Sequence, residues 1–314
     1  MSNTDTTNAP LSSDELDDLV ASTDTGGRIP DSRFVMQLMG GLALVWAVWQ
    51  VWIASPLPYI FNWGVFPSRE ARSFHLAFAL ILAFMAYPAT RQSSRHVIPV
   101  IDWVIGILGV CCALYLFAFD TALGEMITGS RLSDRPGNPN TIDIVVACVG
   151  IVVLLEATRR ALGPPLMIVA IVFLIYTFLG PYAPGFLAWK GASFGAVADH
   201  QWLSTEGVFG IALGVSTDLV FLFVLFGALL DKAGAGNYFI KVAFSLMGHM
   251  RGGPAKAAVV ASGMTGLISG SSIANVVTTG TFTIPMMKRV GFSPEKSGAV
   301  EVASSVNGQI MPPV

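Results

Sequence analysis

The sequence predicts an all-α, polytopic membrane protein, and three observations support this fold class. Hydrophobic residues make up 53% of the 314-residue chain and charged residues only 12%, against about 25% charged residues in typical soluble proteins. Glycine and proline, which are commoner in membrane helices than in soluble ones, occur 32 and 18 times. Long apolar runs recur with turn residues between them. The net charge of -2 gives no reason to expect nucleic-acid binding.

Residues 1–33 differ from the rest of the chain. They are polar and acidic, with a cluster formed by Asp14, Glu15, Asp17 and Asp18. Such a stretch cannot bury enough apolar surface to fold alone. It lacks a basic segment followed by an apolar one, so it does not resemble a cleaved signal peptide. We predict a disordered acidic tail.

Residues 34–163 are predicted to form a four-helix membrane module. The four apolar runs are Phe34–Ala54, Phe74–Ala89, Val97–Phe119 and Ile142–Ala157. Each run is uniformly apolar rather than striped, as expected for helices that face lipid or the interior of a bundle. Basic residues are slightly more frequent on the side of the tail, which favours a cytoplasmic N-terminus.

Residues 164–314 are predicted to form a second module with a different character. Apolar runs at Leu166–Leu179 and Leu219–Leu230 come first. Residues 237–251 are too short and too amphipathic to span a bilayer, and they suit a helix that lies along the membrane interface.

Several ionisable residues within or beside the apolar runs have simple structural interpretations. Glu156 and Arg160 are spaced i,i+4 and predict an ion pair at a helix end. Asp218 or its neighbours are expected to cap a helix that begins at residue 219. His75, His96 and His249 are expected at the membrane interface.

Residues 254–290 predict a re-entrant helical hairpin. The first arm, Pro254–Ile268, is shorter than the about 20 residues that are needed to cross ~30 Å of hydrocarbon. A polar, glycine-rich segment at Gly266–Gly280 joins this arm to a second one, Ile273–Val290. Non-helical backbone at membrane depth is tolerated only where protein buries it or where it lines a polar cavity. The alternative is close helix packing through Gly266-x-x-x-Gly270.

The hairpin tip offers a cluster of neutral oxygen atoms. The candidate ion ligands here are Ser269, Gly270, Ser271, Ser272 and Asn275. Hydroxyl, amide and carbonyl oxygens without a carboxylate suit Na⁺ better than Mg²⁺ or Ca²⁺, which usually recruit Asp or Glu. We expect no other metal and no cofactor. The chain shows no nucleophile–base pair, so an enzyme is not predicted.

Residues 295–314 predict a broken helix that faces the hairpin. Ser293-Pro-Glu-Lys296 is typical of a capped helix start, and Pro312 and Pro313 cannot donate backbone hydrogen bonds. Beside this break, Ser304, Ser305 and Asn307 join the candidate Na⁺ ligands. Thr278, Thr279, Glu301, Pro312 and Pro313 are candidate walls of a substrate site. Glu301 either belongs to the site or pairs with Lys296 or another basic group.

Several motifs resemble the large, DctM-like permease subunit of TRAP transporters. They are Leu225-Phe-Gly-Ala-Leu-Leu-Asp-Lys, Gly248-His-Met-Arg-Gly-Gly-Pro, Ile268-Ser-Gly-Ser-Ser-Ile-Ala-Asn-Val, Ile284-Pro-Met-Met-Lys-Arg-Val-Gly-Phe and Gln309-Ile-Met-Pro-Pro. The four spans before them resemble a small DctQ-like subunit fused upstream. Leu203-Ser-Thr-Glu-Gly-Val-Phe-Gly-Ile, followed by Ala274-Asn-Val-Val-Thr-Thr-Gly, is most similar to fused permeases that work with TAXI-type binding proteins.

The resemblance implies a Na⁺-coupled importer of small organic acids in the bacterial inner membrane, served by a periplasmic TAXI-type substrate-binding protein. It also implies an elevator-type fold with two inverted repeats, each with one hairpin and one broken helix. The hairpin at 254–290 and the broken helix at 295–314 would form the first repeat. Since no second repeat follows, we expect an N-terminal fragment or a truncated product.

Two other functions remain open from the sequence. One is a divalent-anion:Na⁺ symporter that needs no binding protein. The other is an inactive fragment or scaffold subunit of a membrane assembly, although that function does not explain two polar breaks that cost stability.

Overall fold

The computed structural model describes residues 27–90, 93–270 and 272–310, and within these ranges the chain forms helices and no strand. Residues 1–26, the larger part of the predicted acidic tail, lie outside the described residues. Two compact units are present, Gly27–Phe221 and the residues from Leu222 onward. The predicted all-α fold class is confirmed.

Four long helices form the framework of the first unit. They are α1 (Arg33–Ala54), α3 (Ser68–Ala86), α4 (Val100–Ala118) and α6 (Thr141–Leu162), with the short helices α2 (Leu57–Phe61) and α5 (Ala122–Thr128) and a 3₁₀ turn at Leu132–Asp134 between them. At the start of α6, the side chains of Asn140 and Asp143 form a reciprocal capping box. This arrangement satisfies backbone N–H groups that a helix start leaves free.

Shorter elements complete the first unit. They are α7 (Pro164–Leu179), 3₁₀ turns at Gly180–Tyr182 and Gly185–Leu187, α8 (Phe194–Ala198), a π-helical turn at Asp199–Leu203, α9 (Ile211–Val215) and a π-helical turn at Ser216–Val220. Helix α10 (Phe221–Lys232) continues directly from that last turn.

Trp202 lies in the core of the first unit. Its side chain is fully buried, and its indole N–H donates to the backbone oxygen of Cys112 over 3.1 Å. Phe209 packs edge-on against it. A Cβ atom on Gly150 would lie 2.3 Å from the Trp202 ring, so only glycine allows this approach. The compact unit therefore extends past residue 163, where the sequence places the end of its first module.

The predicted Glu156–Arg160 pair is part of a larger ion network. Arg160 Nε donates to Glu156 over 2.7 Å, and another nitrogen of Arg160 donates to Asp102 over 2.8 Å. Arg28 also contacts Asp102, and Arg159 donates twice to Glu156. Asp102 and Arg28 are completely buried, and the side chain of Arg160 is 3% exposed. The network links α4, α6 and the segment before α1.

The prediction that His75 lies at an interface is wrong, because its ring is buried in the first unit. His75 Nδ1 lies 3.2 Å from Gln50 Oε1, and Nε2 lies 3.2 Å from Ser216 Oγ. Trp46 and Phe221 meet the ring edge to face. Gln50, itself buried, also donates to the backbone oxygen of Thr217. These bonds satisfy the ring nitrogens, which allows the histidine to be buried.

The prediction that Asp218 caps a helix beginning at residue 219 is also wrong. Helical structure runs continuously from Ile211 to Lys232, and Asp218 lies within the π-helical turn at Ser216–Val220. Its side chain is exposed. The apolar segment is consequently longer than the predicted run.

Five helices of the described chain are long and apolar enough to cross a membrane. They are Arg33–Ala54, Val100–Ala118, Thr141–Leu162, Pro164–Tyr182 and Ile211–Leu230. Helix α3, which contains most of the predicted second run, is not among them, since Arg69, Glu70 and Arg72 occupy its beginning. The polytopic membrane class is confirmed.

The second unit contains four further helices and a short turn. They are α11 (Ala235–Met247), α12 (Gly253–Ser269), α13 (Ser272–Arg289), α14 (Pro294–Ser305) and a 3₁₀ turn at Val306–Gln309. Ile240 and Ala243 of α11 pack on Ala257 and Ala261 of α12. Small residues at this contact let the two helices approach closely.

Candidate functional site

Helices α12 and α13 form a helical hairpin with Gly270 at its turn. Gly270 has φ +61° and donates its backbone N–H to the backbone oxygen of Gly266 over 3.3 Å. This left-handed conformation ends α12 without the steric penalty that a side chain would bring. The two helices pack against each other and against α14. Whether the hairpin enters a membrane only part of the way remains a prediction.

Asn275 of α13 connects the two arms of the hairpin. Its side chain is fully buried. Its Nδ2 donates to both the backbone oxygen and the hydroxyl of Ser262 over 2.9 Å. Its Oδ1 accepts the hydroxyl proton of Thr265 over 2.5 Å. Both polar ends of the amide are therefore engaged with α12.

Glu301 of α14 is completely buried among hydroxyl groups. The Thr283 hydroxyl donates to Glu301 Oε2 over 2.5 Å, and the Thr279 hydroxyl donates to Oε1. Ser305 Oγ lies 3.4 Å from the same Oε1. No described basic group forms an ion pair with this carboxyl, and Lys296, the predicted alternative partner, is exposed.

One further contact joins the Asn275 and Glu301 clusters. Ser262 Oγ of α12 lies 3.2 Å from Ser305 Oγ of α14, although 43 positions separate them in sequence. We call the connected side chains the buried polar network. Its members are Ser262, Thr265, Asn275, Thr279, Thr283, Glu301 and Ser305, and all are buried. A network of this kind holds three helices in one arrangement, because each member left without a partner would be costly.

Two glycines allow the close packing around the network. A Cβ atom on Gly266 would lie 2.9 Å from the Cα atom of Gly308, in the 3₁₀ turn that follows α14. A Cβ atom on Gly280 would lie 3.2 Å from Glu301 Cγ. Gly266 therefore brings the backbone of the 3₁₀ turn against α12, one helical turn before the end of the hairpin's first arm.

The structure brings some of the predicted site residues together and separates others. Asn275, Thr279, Glu301 and Ser305 belong to the buried polar network. Ser304 is buried, but its hydroxyl donates within its own helix, to the backbone oxygens of Val300 and Glu301.

The remaining candidates lie around the network or outside the described residues. Ser272 and Asn307 are half-buried, and Thr278 is exposed. Ser271, Pro312, Pro313 and the side chain of Ser269 lie outside the described residues.

Sequence reasoning missed three members of the network, Ser262, Thr265 and Thr283. Each is a hydroxyl residue within an apolar or small-residue helix rather than at a visible break. Their spacing in the sequence could have identified them. Ser262 and Thr265 are spaced i,i+3, and Thr279 and Thr283 are spaced i,i+4, so each pair lies on one helix face.

Comparison with known proteins identifies a family for this arrangement. Residues 149–314 match the family described as tripartite ATP-independent periplasmic transporter, DctM component. The match covers more than half of the chain and includes all members of the buried polar network. It begins inside α6.

Curated relatives match shorter segments. The C4-dicarboxylate TRAP transporter large permease protein DctM of Rhodobacter capsulatus is 34% identical over 91 residues, which are 29% of this chain and 21% of that protein. The protein of the same name from Vibrio cholerae is 33% identical over 129 residues, 41% of this chain and 27% of that protein.

A third relative carries a different name. The ectoine TRAP transporter large permease protein TeaC of Halomonas elongata is 28% identical over 120 residues, 38% of this chain and 28% of that protein. The chain thus spans between 21% and 28% of the length of these relatives. No solved structure matches it significantly.

Proposed function

This chain belongs to the DctM family of tripartite ATP-independent periplasmic transporters, and from that premise we propose a function for it. It is the permease component of a Na⁺-coupled, binding-protein-dependent secondary transporter that imports small organic acids. The family match and five apolar helices support the membrane-transport part of this proposal.

The observation that carries the ion-coupling part is the buried polar network. Helices in a hydrophobic environment keep buried hydroxyl, amide and carboxyl groups at a cost in stability, and such groups in membrane proteins commonly mark ion or solute pathways. Here three helices contribute them at one place, beside the hairpin turn and the 3₁₀ break of α14. If these positions only had to pack the three helices together, alanine or leucine would do so equally well.

The chemistry of the donor set fits Na⁺. Among the described residues, Asn275 Oδ1 accepts a hydrogen bond from Thr265, and Ser305 Oγ lies 3.2 Å from Ser262 Oγ. Each oxygen has two lone pairs, so each retains one for a cation. Among the described residues, no group of three or more His, Cys, Asp or Glu side chains could hold a divalent metal. Asn275 and Ser305, together with the half-buried Ser272 and Asn307, would hold the ion.

A bound Na⁺ ion would supply the coupling, because its electrochemical gradient drives uphill uptake of the solute. The residues of the chain bind the ion and exclude water from it. After Ser305 the α-helix gives way to a 3₁₀ turn at Val306–Gln309, and unwound carbonyls are typical cation ligands in transporters.

The proposed partner is a periplasmic TAXI-type substrate-binding protein, and the proposed substrate is a small organic acid. The name of the family supports a periplasmic component, and the motif at Leu203–Ile211 supports the TAXI type. The name C4-dicarboxylate, which two relatives carry, supports an organic acid. The proposed location is the bacterial inner membrane, with the N-terminus in the cytoplasm.

Reconstitution into proteoliposomes tests the proposal. The protein, as its gene encodes it, is reconstituted with the TAXI-type binding protein from the same genome, and uptake of labelled organic acids is measured with and without a Na⁺ gradient. We expect uptake that requires both. Uptake that persists without the binding protein would instead identify a partner-independent symporter. Uptake that is indifferent to Na⁺ would contradict the ion-coupling assignment.

A further inference from the structure

Glu301 is the one ionisable member of the buried polar network, and its surroundings on all three helices are neutral. The charged side chains of these helices are Lys256 on α12, Lys288 and Arg289 on α13, and Glu295 and Lys296 on α14. All five are exposed, whereas Glu301 is completely buried. Within the described chain, Glu301 therefore has hydroxyl partners and no counter-charge.

The direction of the hydrogen bonds follows from how many protons each group can give. The Asn275 amide donates to Ser262 Oγ, so the Ser262 hydroxyl proton is free to point at Ser305 Oγ. The Ser305 hydroxyl proton can then point at Glu301 Oε1. An ionised carboxylate only accepts hydrogen bonds. A charged Glu301 therefore orients this chain of hydrogen bonds in one direction. Asn275 donates to Ser262, Ser262 to Ser305, and Ser305 to the carboxylate.

This orientation has a consequence for the oxygen of Ser305. With its proton directed at Glu301 and one lone pair accepting from Ser262, Ser305 Oγ retains a second lone pair that a cation can use. If a neutral amide replaced the carboxylate, its N–H could donate to Ser305 Oγ. The Ser305 hydroxyl would then no longer donate to residue 301. The charge of Glu301 thus decides whether Ser305 can act as an ion ligand.

We propose that Glu301 is a positioning residue for the Na⁺ site, where it orients the Ser305 hydroxyl and, when ionised, attracts a cation held by neutral oxygens. This inference rests on the proposed function and assigns the carboxyl a role that involves no contact with the ion. A buried charge without a counter-charge is unfavourable. A Na⁺ ion held by Asn275 and Ser305 relieves that cost, since the two charges attract strongly in a medium of low polarity.

The test compares Glu301→Gln with the parent chain in detergent, without any transport assay. Na⁺ binding is measured by titration calorimetry and by the Na⁺-dependent rise of the thermal unfolding midpoint. We expect Glu301→Gln to weaken Na⁺ binding by about tenfold or more, because a unit charge is removed close to the ion. Ser297→Ala is the matched control. Ser297 is buried on the same helix, and its hydroxyl donates to the backbone oxygen of Ser293 at the start of that helix.

The unfolding midpoint in the absence of Na⁺ separates a positioning role from a merely structural one. If Glu301 acts through its charge, Glu301→Gln leaves the Na⁺-free midpoint unchanged or higher, because an uncompensated buried charge is lost. A merely structural carboxyl would show the reverse, a lower Na⁺-free midpoint with an intact response to Na⁺. Glu301→Asp keeps the charge and should retain part of the Na⁺ response, which also covers the case in which the glutamine variant does not fold.

The outcomes distinguish this inference from the proposed function. A parent chain that shows no Na⁺ binding overturns both. A parent chain that binds Na⁺, with Glu301→Gln binding it equally well, overturns the role of Glu301 and leaves the Na⁺ site in place.

Discussion

Asn275 and Ser262 join the two arms of the hairpin through one amide group, which donates to both the backbone oxygen and the hydroxyl of the serine over 2.9 Å. The same serine lies 3.2 Å from Ser305 of α14. Ser262 is therefore the point at which the hairpin and α14 meet. The proposed ion site depends on this contact.

Replacement of Asn275 by alanine should destabilise the second unit and remove the response to Na⁺. The Asn275→Ala change deletes two donated bonds and one accepted bond in a buried position, for which we expect a loss of ~1–3 kcal/mol. Thermal unfolding with and without Na⁺ measures both effects. Ser297→Ala, the control on α14, should keep the Na⁺ response. A Na⁺-dependent midpoint shift that survives in Asn275→Ala would exclude Asn275 as a ligand.

Ser304 and Ser305 are neighbours in sequence, yet they should respond differently to alanine. The Ser304 hydroxyl donates to backbone oxygens of its own helix, whereas Ser305 contacts Ser262 and Glu301. We expect Ser305→Ala to weaken Na⁺ binding by about tenfold, the equivalent of ~1.4 kcal/mol, and Ser304→Ala to leave it nearly unchanged. Equal losses in the two variants, measured by titration, would be incompatible with the observed geometry.

Gly266→Ala should disturb the approach of the 3₁₀ turn to α12. The added methyl group would lie 2.9 Å from the Cα atom of Gly308, and overpacking against backbone costs ~1–3 kcal/mol. Gly298→Ala is a matched control on α14, because a Cβ atom there has no neighbour within 4 Å. That control should be neutral or stabilise by up to ~1 kcal/mol through helix propensity. Equal unfolding midpoints for the two variants would contradict this prediction.

Gly150→Ala should destabilise the first unit. The new methyl group would meet the Trp202 ring at 2.3 Å, and the ring cannot move without losing its bond to the Cys112 oxygen. We expect a loss of ~1–3 kcal/mol or more. Gly41→Ala on α1, where a Cβ atom has no neighbour within 4 Å, is the control. Tryptophan fluorescence and thermal unfolding report the result, and similar stability of the two variants would refute the prediction.

Arg160 and Arg159 provide a comparison of buried and exposed members of one ion network. Arg160 is 3% exposed and bonds Asp102 and Glu156, whereas Arg159 is 32% exposed. Removal of one partner from a buried pair costs ~3–5 kcal/mol, so Arg160→Ala should lower the unfolding free energy strongly. Arg159→Ala should cost about 1 kcal/mol or less through its ion pair. Denaturant titration measures the unfolding free energy of both variants. A larger loss for Arg159→Ala than for Arg160→Ala would contradict the prediction.

The sequence predicted the class and the positions of most helices correctly. The apolar runs at Phe34–Ala54 and Val97–Phe119 coincide closely with α1 and α4. The predicted cap at Ser293 is confirmed, since its side chain accepts the backbone N–H of Lys296 over 3.3 Å. These features depend on the composition and hydrogen-bonding groups of a few neighbouring residues, which a sequence shows directly.

The wrong predictions concern residues whose surroundings come from distant segments. His75 follows Phe74 at the start of an apolar run, which suggests an interface, but Gln50 and Ser216 supply its hydrogen-bond partners in the fold. Asp218 precedes a strongly apolar stretch, which suggests a cap, but a π-helical turn carries the helix through it. Neither outcome follows from local spacing.

The sequence by itself determined that this is a helical membrane protein with a polar hairpin turn, because hydropathy and glycine act locally. Its motifs also indicated the family. Only the tertiary structure decided which polar groups meet. Ser262, Thr265 and Thr283 became members of the network, and Ser304 did not, because the rotation of three packed helices sets which faces are shared. That rotation depends on close contacts such as Gly266 against Gly308, which involve residues far apart in the chain.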